Sequence, residues 1–271
     1  MPSGDDVTMG RATPYVHRDS AIHRLNPLTK GVFFCCVVVV AFTAPSVGIV
    51  LSLLGAVVVA AVVAKVLRNL ATLVLKSAFL IVFLIFVVQG LFYPGSKAAL
   101  WRIGPVTVWR EGLNFAVFTS ARLITIIAAT VLFILTTKAE DLVSEMMAHG
   151  LSRKLGYVVL MTMQIVPQMQ ARATAILDAQ RSRGLETEGG LMKRFRAYVP
   201  IVGPLVVGSI ISLETRSLAI EARGFSSPTR RVRVEEIPDS RGERISRWAA
   251  AALTALFVVW RFVSWISSSI H

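Results

Sequence analysis

Two Arg-Gly pairs are the residues of this sequence whose type and spacing best suggest a chemical task. They occur in Ser182-Arg183-Gly184 and Ala222-Arg223-Gly224, and each follows a helix-like run. Glycine readily takes the left-handed conformation that ends a helix, and a cation complements the negative end of the helix dipole. Either pair alone is explained as a helix stop. Two pairs in one charged region favour a docking device, because guanidinium groups offer a planar fork of donors to carboxylates or carbonyls on another protein.

The composition indicates a membrane protein with several spans. Hydrophobic residues make up 54% of the 271 residues, and the mean hydropathy is +0.64, whereas soluble domains are about 45–50% apolar. The formal charge of +13 comes without a nucleic-acid-binding motif, so we expect no nucleic acid partner. The basic excess instead fits loops on the cytoplasmic side of a lipid bilayer.

No residue pattern predicts a cofactor, a metal site or a disulfide. The two cysteines, Cys35 and Cys36, are adjacent in an apolar run and are badly placed to bond to each other in a helix. The histidines lack metal-ligand spacing; they are His17, His23, His149 and His271. The first thirty residues have no apolar core typical of a cleaved signal, so we expect insertion to depend on the transmembrane helices.

Apolar runs of membrane length predict an all-α polytopic membrane protein with about five transmembrane helices and a cytoplasmic domain of long amphipathic helices. The predicted spans are 31–44, 47–64, 73–93, 113–136 and 248–266. Between the second and third spans, Lys65, Arg68 and Lys76 mark a predicted cytoplasmic loop (65–76, of which the last residues overlap the third span), and 96–112 is predicted as an interfacial loop. The chain thus divides into a cytoplasmic N-terminal segment (1–30), four transmembrane helices (31–136), a cytoplasmic domain (137–247) and a C-terminal transmembrane helix (248–271).

Two long helices are predicted inside the cytoplasmic domain, at 152–183 and 198–223. Most of the acidic residues of the chain and more than half of its basic residues lie in this domain. Each helix is apolar in its first half and charged in its second, and each ends at one of the Arg-Gly pairs. We place Pro200 and Pro204 near the start of the second helix, where a missing N–H costs least. A polar connector follows at 229–247, and the N-terminal segment 1–19 is expected to be poorly ordered.

Three other classes of membrane protein fit these features less well. An intramembrane enzyme needs polar residues at membrane depth, and the spans contain almost none. A secondary transporter should have repeated halves and broken helices around a midplane site. The permease subunit of a conventional ABC importer also couples to ATPases, but through one compact loop, and it remains the alternative.

The chain resembles the transmembrane T component of energy-coupling factor transporters, which are importers of vitamins and metal ions related to ABC transporters. The segments QRSRG (180–184) and EARGF (221–225) match the two Ala-Arg-Gly-type motifs that define this family, with Ser182 where the family often has alanine. The segment HRLNPLTK (23–30) is similar to the N-terminal signature of the family, with Asn26 where aspartate is common. The order of the predicted elements agrees with the family over nearly the whole chain.

The resemblance implies a scaffold that is not itself an enzyme. Arg183 and Arg223 would insert into grooves of two ABC-type ATPase subunits, and the small neighbours Ser182, Gly184, Ala222 and Gly224 would keep the two tips slender. The helices would pass the ATP-driven motion to a substrate-binding integral membrane subunit, the S subunit, for uptake of a vitamin or a transition-metal ion. The location implied is the cell membrane of a prokaryote, with the N-terminus and the two-helix domain in the cytoplasm.

The apolar first halves of the two helices have two possible roles. They would offer a soft platform to the S subunit, because methionine adapts its shape to different partners. Ordinary packing within the domain explains any single residue equally well. The residues in question are Met161, Met163, Met169, Leu205 and Val206.

Overall fold

The computed structural model of the chain describes residues 20–92, 99–103, 106–184, 191–224 and 239–269. Contacts divide these residues into two compact units. We call them the membrane unit, which lies within Thr13–Gly150 and Ile237–His271, and the two-helix unit, which lies within Leu151–Glu236.

The membrane unit contains seven helices and one pair of short strands in its described residues. In chain order they are α1 (Ala21–Arg24), α2 (Pro27–Thr43), α3 (Val47–Val63), α4 (Leu67–Phe92), β1 (Ala99–Ile103), β2 (Val106–Trp109), α5 (Arg110–Thr136), α6 (Ala139–Ala148) and α9 (Arg241–Ser269). The two-helix unit contains α7 (Arg153–Ser182) and α8 (Leu191–Ala222).

Alanine forms much of the buried core of the membrane unit. Ala61 and Ala64 are fully buried beside Leu135, and Ala128 and Ala129 are buried against Val57. Small side chains let the backbones of neighbouring helices approach closely, which is how helices associate in lipid. The tight contacts of α5 with α3 and α4 follow from these residues.

Large apolar side chains cover the outside of the membrane unit. On α4, Phe79 is 70% exposed and Leu80 is 71% exposed, although residues of this kind are normally buried in a soluble protein. By length and composition, four described helices can cross a membrane, at Leu67–Gly90, Arg110–Thr136, Ile201–Ala222 and Arg241–Ser267. Three of these helices, together with two shorter apolar helices at Pro27–Thr43 and Val47–Val63, correspond to the five spans predicted from the sequence. The fourth, Ile201–Ala222, lies in the segment that was predicted to be cytoplasmic. The all-α polytopic fold is thereby confirmed, apart from the single strand pair.

The predicted loop 65–76 is largely helical in the structure. The helix α4 begins at Leu67, so Arg68 and Lys76 lie within it as exposed side chains. Leu70 is buried in the core and Val74 packs against it, so the first turns of α4 have an apolar face that the charged residues concealed. The turn before α4 is made at Lys65, which has a φ of 58°.

The predicted interfacial loop 96–112 contains an antiparallel hairpin of β1 and β2. Its register pairs Trp101 with Val108 and Ile103 with Val106, and α5 follows directly from β2 at Arg110. Alternating β-branched and aromatic residues suit strands, but β1 and β2 have only five and four residues, and runs this short give a weak pattern in the sequence. The residues 93–98 and 104–105 lie outside the described part of the chain.

The helix α8 begins at Leu191, seven residues before the predicted start. Pro200 and Pro204 therefore lie in the helix interior rather than in its first turn. The helix α7 also carries an internal proline, Pro167. The predicted segment 1–19 and most of the predicted connector (229–238) lie outside the described residues, whereas α9 already begins at Arg241.

Candidate functional site

The first Arg-Gly pair ends α7 through a tight backbone turn. The N–H of Arg183 donates to Gln180 O at 3.0 Å, and the N–H of Gly184 donates to Arg181 O at 2.9 Å. Gly184 has a φ of +90°, a conformation that a side chain makes costly. The hydroxyl of Ser182 donates to Asp178 O on its own helix at 3.0 Å, which leaves the end of the helix narrow.

The second Arg-Gly pair ends α8 in nearly the same way. The N–H of Arg223 donates to Ala219 O at 3.2 Å, and the N–H of Gly224 donates to Glu221 O at 2.9 Å. Gly224 has a φ of +71°. The two ends thus share one backbone solution, in which a left-handed glycine follows an arginine at the helix C-terminus.

Both arginines are exposed at these helix ends. Within the described residues, the guanidinium groups of Arg183 and Arg223 make no hydrogen bond or ion pair. The N–H donors of both groups are therefore available to a partner. Each group also lies at the C-terminal end of its helix, where the negative end of the helix dipole favours a cation. Guanidinium groups in this arrangement can donate to carboxylate or carbonyl oxygens.

The helices α7 and α8 contact each other through their middle turns. Arg216 Nη2 donates to Gln168 Oε1 at 3.0 Å, and Arg172 Nη2 donates to Ser212 Oγ at 3.3 Å. Arg172 Nη1 also reaches Gly208 O at 3.5 Å. Each helix therefore places one arginine against polar atoms of the other helix.

The order of these contacts gives the relative direction of α7 and α8. One turn forward on α7, from Gln168 to Arg172, corresponds to one turn backward on α8, from Arg216 to Ser212. The helices therefore pass through their crossing in opposite senses, and their C-terminal ends leave it on opposite sides. At 1.5 Å per residue, α7 continues for about 15 Å beyond Arg172 and α8 for about 9 Å beyond Arg216.

The methionines of α7 take part in this crossing. Ser209 Oγ donates to Met169 Sδ at 3.4 Å, and Arg216 Nη1 donates to Met161 Sδ at 3.5 Å. For these two residues the structure supports packing within the unit. A group of aliphatic side chains on the two helices is still between 46% and 58% exposed: Val166, Val202, Val206, Val207, Ile210, Ile211 and Leu213.

The residues that fix the crossing were not predicted from the sequence. Arg172 and Arg216 lie in the second halves of the two helices, which were described only as charged. A single arginine two or three turns before each Arg-Gly pair was a usable signal, because an arginine among apolar turns needs a polar partner.

The segment HRLNPLTK (23–30) forms a second polar cluster, at the start of α2 in the membrane unit. Asn26 is fully buried and caps α2, since its Oδ1 accepts from the N–H of Leu28 at 2.9 Å. The N–H of Asn26 donates to Glu243 Oε2 on α9 at 2.9 Å, and Thr29 Oγ1 donates to the same oxygen at 3.4 Å. The glutamate stands at the positive end of the dipole of α2, which favours its charge.

Lys30 connects α2 to the end of α5. Its ammonium group donates to Thr136 O at 2.9 Å and to His23 O at 3.1 Å. The carbonyl of Thr136 belongs to the last turn of α5, where a cation is favourable. This segment therefore fastens α2 to both α5 and α9, a role that sequence analysis had not assigned to it.

Asp239 anchors the first turns of α9. It accepts from Arg247 Nη2 at 2.8 Å and from Arg244 Nη2 at 3.4 Å. Desolvation raises the pKa of Asp239, but the hydrogen bonds and charges of Arg247 and Arg244 outweigh it, and the net effect is a pKa below the ordinary value of 3.8. The carboxylate is therefore ionised at neutral pH and pairs with both arginines.

The fold defines a helical membrane protein, and two arginine-bearing helix ends of this protein are exposed in its described residues. The family model described as "Cobalt transport protein", CbiQ, matches residues 18–234. The chain belongs to this family.

Curated relatives match the chain over almost its whole length. The "Energy-coupling factor transporter transmembrane protein EcfT" of Acidaminococcus fermentans is 30% identical over 96% of this chain and 97% of the relative. The protein of the same name from Clostridium kluyveri is 27% identical over 94% of this chain and 97% of its own length. That from Thermanaerovibrio acidaminovorans is 30% identical over 88% and 90% of the two chains. This chain is accordingly a membrane-embedded transporter subunit of the energy-coupling factor type.

Proposed function

We propose that the chain is the scaffold of an energy-coupling factor importer and passes the ATP-driven motion of two ABC-type ATPase subunits to a substrate-binding membrane subunit. The observation that carries the proposal is the pair of exposed ends, Arg183-Gly184 and Arg223-Gly224. Each end closes with a left-handed glycine, and the two ends leave the α7–α8 crossing on opposite sides. Two equal ends pointing apart suit two similar partners.

In this proposal the two arginines are anchors. Each guanidinium group enters a groove on one ATPase subunit and donates to carboxylate or carbonyl oxygens there. The backbone of each helix end follows its arginine into the groove. It fits there because the neighbouring residues are small: Ser182 and Gly184 on α7, and Ala222 and Gly224 on α8. ATP hydrolysis belongs to the partner subunits, because the sequence has no Walker A motif.

The crossing carries the motion between the two ends. When ATP draws the ATPase subunits together, both ends move with them, and the hydrogen bonds made by Arg172 and Arg216 keep the helices in contact at the crossing. The exposed aliphatic side chains near the crossing, such as Val206 and Ile210, form the platform for the S subunit. A change in the crossing then alters the platform and the state of the S subunit.

The cargo in this proposal is a vitamin or a transition-metal ion, and it is selected by the S subunit. The subunit operates in the cell membrane of a prokaryote. Its two-helix unit and its N-terminus lie on the cytoplasmic side, which the concentration of basic residues in these regions supports.

The proposal is tested by affinity purification of the tagged chain from gently solubilised native membranes. The wild type should retain ABC-type ATPases, and the double variant Arg183→Ala with Arg223→Ala should lose them while inserting normally. The control is Arg68→Ala with Lys76→Ala, which removes two exposed charges from α4. If the double variant and the wild type retain the ATPases equally, the proposal is wrong and the two arginines serve only to end their helices.

A further inference from the structure

An open cavity of about 390 Å³ lies in the membrane unit at the turn between α2 and α3. Two arginines, Arg122 of α5 and Arg261 of α9, line it. The remaining lining is mostly apolar or aromatic and includes Phe42, Ala44, Phe118, Phe262 and Trp265. The cavity therefore combines two cations with an apolar wall.

The structure holds Arg122 in place without neutralising it. Its Nη2 donates to Ala44 O, the carbonyl that follows α2, at 3.1 Å, and its guanidinium carbon lies 4.4 Å from the centre of the Phe118 ring. Its Nε is buried and has no hydrogen-bond partner. Within the described part of the chain, neither Arg122 nor Arg261 forms an ion pair.

Contacts at the other end of the membrane unit give a reference level from which the depth of the two arginines can be measured. The ammonium of Lys30 bonds to Thr136 O, and the N–H of Asn26 bonds to Glu243, so these residues mark one common level. At 1.5 Å per residue, Arg122 lies about 21 Å along α5 from Thr136, and Arg261 lies about 27 Å along α9 from Glu243.

The hairpin of α2 and α3 is short for a membrane. Each of these helices has 17 residues and rises only about 25 Å, against a hydrocarbon thickness of about 30 Å. The α2–α3 turn therefore lies no further from the bilayer centre than the lipid phosphates of that leaflet. A short span is accommodated by local thinning, which draws headgroups towards it.

We infer that this cavity binds the phosphate of an anionic phospholipid from the leaflet at the α2–α3 turn. The two guanidinium groups match a phosphodiester, which accepts charge-assisted hydrogen bonds. The apolar side chains face the glycerol and the upper acyl chains, and Trp265 suits the interface. An anionic headgroup is selected over a zwitterionic one because the choline cation would stand beside a second positive charge.

This site goes beyond the proposed function and does not depend on it. No ATPase or S subunit is needed for lipid to bind, and the residues of the cavity are separate from Arg183 and Arg223. Loss of lipid binding and loss of ATPase retention can therefore be measured independently.

The test places the purified chain in nanodiscs of phosphatidylcholine mixed with phosphatidylglycerol and measures the lipids retained after release by native mass spectrometry. The wild type should retain phosphatidylglycerol preferentially. In Arg122→Gln with Arg261→Gln this retention should fall by roughly tenfold or more, since two charge-assisted contacts are removed. The control Arg68→Gln with Lys76→Gln loses the same charge on α4 and should retain lipid as the wild type does.

A variant of Arg261 alone distinguishes loss of lipid binding from misfolding. Arg122 holds the carbonyl of Ala44, so its loss could disturb the turn, whereas Arg261 donates no side-chain hydrogen bond within the described residues. Arg261→Gln alone should keep the wild-type elution profile and lose most of the preference, and Arg261→Lys should keep it in part. Equal retention by wild type and Arg261→Gln would overturn the inference.

Two further results would overturn it. If inorganic phosphate displaces phosphatidylglycerol, or stabilises the chain as well as the lipid does, the cavity is a site for free anions. If the wild type shows no lipid preference but the arginine variants lose a co-purified membrane protein, the occupant is an acidic side chain of a partner subunit.

Discussion

Arg216 of α8 contacts two residues of α7 at once: its Nη2 donates to Gln168 Oε1 at 3.0 Å and its Nη1 reaches Met161 Sδ at 3.5 Å. The two contacted residues are seven positions apart and lie about two turns from each other on one face of α7. With the matching contact of Arg172 on Ser212, they hold the two helices together at their crossing.

The Gln168–Arg216 hydrogen bond should be measurable by a double-mutant cycle. We expect Gln168→Ala and Arg216→Ala to be coupled by about 0.5–1.5 kcal/mol in the free energy of unfolding, because the bond is exposed to solvent. The measurement is equilibrium unfolding in mixed micelles. The pair Gln170→Ala with Arg216→Ala is the control, and additive effects in both cycles would remove the crossing from the proposed mechanism.

The left-handed glycine at the end of α7 should resist substitution. Gly184→Ala places a Cβ at a φ of +90°, where nothing within 4 Å opposes it, so the whole penalty is backbone strain, about 1–2 kcal/mol. In this variant, hydrogen exchange of the backbone amides at positions 183 and 184 should be roughly tenfold faster than in the wild type.

Gly203→Ala is the matched control for this substitution. Gly203 lies inside α8, and a Cβ there meets nothing within 4 Å. Alanine should slow exchange in α8 because it favours a helix by about 1 kcal/mol over glycine. Unchanged hydrogen exchange in Gly184→Ala would contradict the left-handed turn described at the end of α7.

Glu243 should be needed for the stability of the membrane unit. Glu243→Ala leaves the buried N–H of Asn26 without an acceptor, and we expect a loss of about 1–3 kcal/mol. Glu243→Gln keeps an acceptor and should lose less than half as much. Thermal unfolding in detergent checks both, with the exposed Glu140→Gln as control. Equal stability of Glu243→Ala and wild type would contradict the role assigned to this contact.

The stability of the chain should fall in acid through Asp239. The pKa of this group is lowered on folding, so its contribution is present above the unfolded value of 3.8 and is lost as the pH falls through the lower folded value. Between pH 5 and pH 3, the free energy of unfolding should fall less steeply in Asp239→Asn than in the wild type. Parallel curves for the two proteins would exclude the lowered pKa.

Buried alanines should tolerate substitution less well than exposed large residues of the same unit. Ala128 is 1% exposed, whereas Leu80 is 71% exposed. Ala128→Leu should destabilise the unit by about 1–3 kcal/mol through overpacking. Leu80→Ala should cost much less, because lipid replaces the lost contact. Unfolding in mixed micelles compares the two, and the reverse order would contradict the packing described for α3 and α5.

Local patterns made part of this structure predictable. The apolar runs located five long helices of the membrane unit. The Arg-Gly pairs located the ends of α7 and α8, because glycine and charge act within one turn of the chain. The start of α4 was missed since Arg68 and Lys76 masked the apolar face of Leu70 and Val74.

Long-range contacts were not predictable in the same way. The partner of Asn26 lies 217 residues away, and no periodicity of either segment identifies it. The opposite direction of α7 and α8 depends likewise on which turns meet, and this is decided by packing rather than by the sequence of either helix.

The hydrogen bond between Asn26 and Glu243 also has a consequence for biosynthesis. The ribosome completes α2 long before it begins α9, so the N–H of Asn26 must wait for nearly the whole chain to be translated before it finds its acceptor. Until then, the first span is held only by its nearer neighbours. Assembly of the membrane unit is therefore finished by the last helix, and a nascent chain that stalls before residue 241 would carry an unfinished surface on α2 for quality-control proteases to recognise.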